Sequence, residues 1–323
     1  MVDLLVGSAL FRNTFLTGGR GHVDLPRLRA VGVNVVGLTI ATRWPNLRGS
    51  LSGWHYRSLG MPARVTRRDM AMAEWLLHRI HGWCDQSDGG LVIVRSVLDL
   101  ERCLAPGGPV GILLGVQGGH VLEGDLANLA RLRAEGVRMF APAHVMDNAL
   151  VGSSTGRHSG GISDYGREVI AELEAQSIVV DLAHMSTAGI AQALPLLARP
   201  FVLSHTGLAD ISATKRNIPS ALVADVGAAG GLVGIMLATR LLGGSTLDAA
   251  VRALRLAIES AGAAHVALGS DMDGALRMLI DVEGLPSLTA ALLESGLSET
   301  EVSGFMGANA AQVLARGLPV ESA

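Results

Sequence analysis

Apolar residues along this chain fall into two kinds of segment that take turns. Short runs in which nearly every position is apolar alternate with longer stretches where apolar residues recur every three or four positions. That rhythm predicts repeated βα units around a parallel sheet covered on both faces. The strand candidates are 2–7, 33–40, 110–116, 137–142, 178–182, 200–204, 231–237 and 265–270. The runs at 111–116, 178–182 and 231–236 do not alternate with polar residues, as befits strands buried on both sides. Helical spacing marks 66–83, 125–135, 165–176, 187–197, 246–262 and 298–314, with Ser245-Thr246 as an N-cap. Glycine- and proline-bearing stretches at 42–65 and 149–164 read as long loops. Eight strands with intervening helices predict an α/β fold, a (β/α)8 TIM barrel, and 1–323 reads as a single domain with no linker or internal repeat.

Composition narrows the function classes. Apolar residues make up 49% of the chain and charged ones 17%, which supports a large core and argues against disorder. A net charge of −3 without a basic run gives no footing for nucleic acid or an anionic membrane surface. No uninterrupted apolar stretch reaches the ~18 residues of a membrane span. Met1–Val6 lacks a basic n-region and reads as a strand, so no signal peptide is expected. Cys84 and Cys103 form neither a disulfide framework nor a zinc knuckle, and a cytoplasmic location is expected.

Chemistry concentrates where apolar runs turn abruptly polar, the signature of a barrel's active face. Val-Val-Asp-Leu-Ala-His ends at His184 and Phe-Val-Leu-Ser-His ends at His205, at matching places on consecutive strand candidates. Neighbouring strands lie about 4.8 Å apart, so two such imidazoles can reach one ion. One histidine alone would read as a core residue; the matched pair favours metal. Asp271 and Asp273 follow the last strand candidate, where a carboxylate can bind metal or carry a proton. Asp273-Gly274 also suits an Asx-turn or a helix N-cap, a reading that fits Asp271 less well. His144 stands after the 137–142 run, either as a loop histidine or as a group facing substrate oxygen or metal. Gln117 closes the 110–116 strand with a neutral amide, a poor bridge between two dications.

Taken together, these segments resemble the membrane (renal) dipeptidases, a peptidase M19-type branch of the amidohydrolase superfamily. The resemblance rests on 22–33, Gly115–His120, Gly136-Val-Arg-Met with His144, Asp181-Leu-Ala-His184, Ser204-His205, Lys215-Arg-Asn-Ile, Gly269–Gly274 and Gly307-Ala-Asn309. It implies a barrel with a binuclear zinc site that hydrolyses dipeptides with little selectivity. By position, His184 and His205 resemble ligands of one zinc, and Asp271 resembles the acid that handles the proton of the reacting water. His144 and Arg216 resemble the groups that hold the substrate's carbonyl oxygen and carboxylate. A homo-oligomer, common in that family, is a further expectation.

Two departures set the chain apart. The family's bridging glutamate is Gln117 here, and its first-strand His-X-Asp is not restored by either register of Met1-Val-Asp-Leu-Leu-Val-Gly. In one register Asp3 takes the aspartate's place, which makes it a weaker candidate ligand, and Met1 stands where histidine should; residues upstream of Met1 would change that argument. His22-Val-Asp24 has the right form, but glycines precede it and a helix start follows, so it reads as the loop entering the first helix. Three readings follow. The first is a hydrolase of small amide bonds with one zinc, or another divalent metal, held by His184 and His205 with Gln117 or Asp271. The second is a metal-dependent lyase or isomerase on the same scaffold. The third is a catalytically silent binding protein.

Overall fold

The computed structural model of the chain describes residues 15–19, 21–43, 57 and 60–321. Its strands are β1 (Val35–Ala41), β2 (Leu91–Ile93), β3 (Val110–Gln117), β4 (Val137–Ala141), β5 (Val179–Val180), β6 (Val202–Thr206), β7 (Leu232–Ile235) and β8 (Val266–Leu268). β1 pairs with β3, β3 with β4 and β4 with β5, and β6–β7–β8 follow in order, every pair parallel. A bridge between Asp181 and Val202 joins β5 to β6, so seven strands run side by side in one parallel series.

One residue from each member of that series meets its neighbours in a separate apolar cluster. Leu113, Met139, Val179, Val202, Leu232 and Ala267 pack together with the partly buried Val35. That is the interior layer expected when alternate residues of a closing parallel sheet point inward. Val313, Leu314 and Leu318, from the C-terminal segment, join the same cluster and plug that end of the barrel. Two glycines make room in the series: a Cβ on Gly234 or Gly269 would lie 1.9 or 2.0 Å from the Ser204 carbonyl oxygen. The larger cluster lies between sheet and helices, and all of these strands and helices fit the α/β barrel class that the spacing predicts.

The helices are α1 (Leu25–Ala30), α2 (Asp69–Gln86), α3 (Val97–Leu104), α4 (Ala127–Ala134), α5 (Asp164–Ala175), α6 (Thr187–Ala193), α7 (Ser220–Ala228), α8 (Leu247–Ala261), α9 (Leu285–Glu294), α10 (Glu299–Ser303) and α11 (Asn309–Gly317). Serine side chains accept from the backbone at the starts of α3, α5, α6 and α10, which fixes where each return segment leaves its loop. Thr246 does stand at the N-cap of α8, but its side chain makes no capping bond.

Several expectations need correction. The strand candidate at 2–7 lies outside the described residues, and most of the 42–65 loop does too. β2 is not predicted by the spacing: Leu91–Val94 is an apolar run too short to stand out, and among the described residues it pairs only with the start of β3. The spacing does not mark α3, α7 or α9 either. The single helix expected over 298–314 is broken, because residues 304–308 form a π-type turn between α10 and α11. There Asn309 turns its amide inward to the carbonyls of Ala263 and Val266 at 2.7 and 2.9 Å, so it is a clamp on β8. His22-Val-Asp24 does enter the first helix: Asp24 is the N-cap of α1 and accepts from the Arg27 backbone N–H at 3.0 Å.

Candidate active site at the C-terminal mouth of the barrel

The parallel register brings the polar strand ends to one rim. Ala41 of β1, Gln117 of β3 and Ala141 of β4 are in register there, so Gln117 sits between two small residues and faces an open space. A cavity of about 390 Å³ occupies this mouth, within the usual range for small-molecule sites. Gln117, His144, His184, Arg216 and Asp271 line it together. His205 lies directly beneath, its Nε2 3.0 Å from Nε2 of His184. Asp3 lies outside the described residues.

His184 owes its position to a strained turn. Its φ is +65°, a left-handed value that a non-glycine residue adopts at a cost on the order of 1 kcal/mol. The backbone N–H of Ser154 donates to the His184 carbonyl at 2.8 Å, and Ser186 N–H donates to the Gly152 carbonyl at 2.9 Å. The 149–164 segment thus docks on the end of β5, over the active face as expected for a long loop, and places Thr155 at the cavity wall. His205 is held by a hydrogen bond on its other ring nitrogen, since Nδ1 lies 2.7 Å from Ser204 Oγ. His144 packs its ring edge-on to His184, with centroids 4.6 Å apart, and its backbone carbonyl accepts a short bond from Ser153 Oγ.

Asp271 sits in a second strained segment. Asp271, Asp273 and Ala275 all have φ between +54° and +62°. The glycine between the last two matters, because a Cβ on Gly274 would press on the Asp271 carboxylate at 2.7 Å. Asp273 corrects the simple turn reading. Its buried carboxylate caps no helix; it accepts the backbone N–H groups of His22 and Val23 at 2.7 and 3.1 Å and lies 3.1 Å from His22 Nδ1. It anchors the Asp271 loop to the segment before α1.

Electrostatics at the mouth favour neutral imidazoles beside one enclosed cation. Burial, reinforced by the nearby Arg216, holds His184 and His205 well below the ordinary imidazole range. Burial and then His120 push His144 down to about 3. Burial lowers Arg216 to about 10, against the pull of Asp271 and Asp181, so it stays charged at neutral pH. Its Nη2 donates to the His205 carbonyl at 2.9 Å.

These residues fit a divalent cation at one position. Two neutral imidazoles present facing Nε2 atoms, and cis nitrogens with bonds of about 2.0–2.1 Å to one zinc lie roughly 3 Å apart. Nδ1 of His184 is buried with no hydrogen-bond partner among the described residues, so the one polar contact of that ring is the Nε2 atom that faces His205. Among the described residues, no three His, Cys, Asp or Glu side chains cluster as a complete ligand set, and the amide of Gln117 is neutral. Sequence reasoning named the five lining residues and His205. It did not assign roles to Asp181 or Ser204, although both stand inside the quoted motifs as polar residues within apolar strands, which is the signal that could have marked them.

Comparison with known proteins gives a consistent picture. The chain is 27% identical over 314 residues to an uncharacterised dipeptidase of Schizosaccharomyces pombe, covering 93% of this chain and 73% of that protein. Its fold matches that of dipeptidase AC, an M19 metallopeptidase, with a TM-score of 0.82 and 24% identity over 97% of this chain and 95% of the other. It matches equally a Rhodobacter sphaeroides metallopeptidase liganded with a phosphinate mimic of the dipeptide L-Ala-D-Ala, with a TM-score of 0.81, 24% identity and the same coverage. The membrane dipeptidase family, peptidase family M19, is matched over residues 6–318, and with the barrel and its histidine-lined mouth in place, this chain belongs to that family of metallopeptidases.

Proposed function

We propose that this protein is a metal-dependent hydrolase of small amide bonds, a dipeptidase that works with a single ion, zinc by preference. The observation that carries the reading is the buried, neutral His184–His205 pair, whose His184 opens into the same cavity as Asp271 and Arg216. A divalent ion held by that pair, with Gln117 or Asp271 alongside, would supply Lewis-acid activation of water. The chain's own residues account for the rest. Asp271 takes a proton from the attacking water and returns one to the leaving amine. Arg216, charged and enclosed, binds the substrate carboxylate, and the neutral ring of His144 donates to the carbonyl oxygen as negative charge grows there. The Rhodobacter relative's dipeptide-mimic ligand supports a substrate of this size.

Gln117 favours one second reading, a lyase or isomerase on the same scaffold, since losing the bridging carboxylate suits a changed reaction. A panel of L,L- and L,D-dipeptides assayed with zinc-loaded protein separates the two. Hydrolysis of any member, lost in Asp271→Asn, supports the dipeptidase. A metal-loaded protein that cleaves none overturns it in favour of the second reading.

A further inference from the structure

The two facing histidines are supported unequally. His205 leans on a buried chain: its Nδ1 lies 2.7 Å from Ser204 Oγ, which lies 2.6 Å from Asp181 Oδ2. The other carboxylate oxygen of Asp181 accepts the backbone N–H groups of Ser204 and Ala183, both at 2.9 Å. Asp181 is 0% exposed. Burial pushes the Asp181 carboxyl up, but three donors converge on it and hold the ionised, acceptor-only form toward Ser204. The single hydroxyl proton of Ser204 therefore goes to Asp181, and the oxygen's lone pair accepts Nδ1–H of His205. That leaves His205 with a bare Nε2 directed at His184. No such support reaches His184, whose Nδ1 has no hydrogen-bond partner among the described residues.

We propose that Asp181 and Ser204 are positioning residues that act through the serine hydroxyl to lock His205 as the Nδ1–H tautomer and aim its Nε2 at a divalent cation. His205 is then the pre-organised ligand and His184 the adaptable one. The inference rests on the reading of this pair as a metal site. It extends the familiar carboxylate–histidine–metal arrangement by one inserted hydroxyl. The two oxygens of Asp181 divide the work. Oδ1 staples β5 to β6 through the Ser204 N–H and closes its own turn through the Ala183 N–H, and Oδ2 carries the relay. Ser204→Ala cuts the relay and leaves both backbone bonds to Oδ1 in place.

The test uses the full-length protein in two assays. Long-range ¹H–¹⁵N correlation on metal-free, ¹⁵N-histidine-labelled protein reports the His205 tautomer, with the signal assigned through His205→Gln. Competition with a chromophoric chelator reports zinc affinity. Wild type is expected to show the Nδ1–H tautomer. Ser204→Ala should show a tautomer mixture and bind zinc about 10–100-fold more weakly, the usual effect of losing such a partner. Ser204→Thr, which keeps the hydroxyl, should restore both. A purely structural serine would change thermal stability and neither readout. If Ser204→Ala fails to fold, Ser204→Cys keeps the shape with a weakly bonding thiol, and the same readouts decide. An unchanged tautomer with zinc affinity within about twofold of wild type overturns the relay. Wild-type protein that takes up no zinc overturns the metal reading, and the metal-free tautomer comparison still decides the relay by itself.

Discussion

Gln117→Glu places a carboxylate at the rim beside the His184–His205 pair, and it changes charge without changing size. The site is buried, with Gln117 7% exposed among the cavity-lining residues. In metal-free protein an ionised carboxylate there loses hydration worth several kcal/mol, so its pKa rises and the apo form becomes less stable than the parent. With a divalent ion held by His184 and His205, the new charge gains attraction of about 8 kcal/mol for a dication a few ångströms away at an effective dielectric near 20. Subtracting the desolvation cost leaves about 3 kcal/mol, or roughly a hundredfold tighter zinc binding. The assay is chelator competition for zinc, run beside thermal unfolding with and without the ion. The expected result is opposite signs: a lower apo Tm, and a larger zinc-induced rise in Tm than the parent shows. A variant that binds zinc within about threefold of the parent would refute the reasoning, because the missing charge would then not be what limits the site.

Other outcomes follow from the same geometry. Zinc affinity should stay nearly flat from pH 7.5 down to 5.5: ordinary imidazoles with pKa near 6.5 would be about one-tenth neutral each at pH 5.5 and lose roughly a hundredfold as a pair, whereas burial keeps His184 and His205 neutral there. A hundredfold loss in a chelator titration would contradict this. The metal-free protein should lose stability as pH falls below about 6.5, since the unfolded chain takes up protons there that His184, His205, His144 (about 3) and His120 (about 4, chiefly by burial) refuse when folded. Urea unfolding at stepped pH checks the sign. Arg216→Met should lower kcat/KM for dipeptides by about 10–150-fold, the value of a charge-assisted bond to the substrate carboxylate, with little effect on amides lacking one. Asp273→Ala should destabilise the fold by about 1–3 kcal/mol by releasing the His22 and Val23 N–H groups, and should lower kcat through the loosened Asp271 loop.

Most of the site was legible because parallel strands all end at one rim. Once an apolar run turned polar, its last side chain had only one place to go, which is why His184, His205, Gln117 and Asp271 could be grouped from spacing. Distances and roles were not legible in the same way. Asp273 looks in sequence like any turn aspartate before a glycine, yet its partners are about 250 residues away in the segment before α1. Asp181 and Ser204 look like interruptions of apolar strands, and their link appears only when β5 and β6 lie side by side. Short or evenly apolar elements such as β2 and α7 carry too few positions to show a period, so tertiary packing rather than local pattern defines them. The break at 304–308 was hidden because apolar spacing continues through it; Gly307 leaves helical backbone there, and Asn309 turns its amide inward just after it.

The most direct test of the account is the metal content per chain of protein purified without chelator, measured by elemental mass spectrometry beside His184→Ala and His205→Ala. The account predicts about one zinc or similar ion per chain in wild type, and none above background in either variant. Wild-type protein that carries no metal even after incubation with zinc, or variants that retain it fully, would contradict the claim that these two histidines hold the ion.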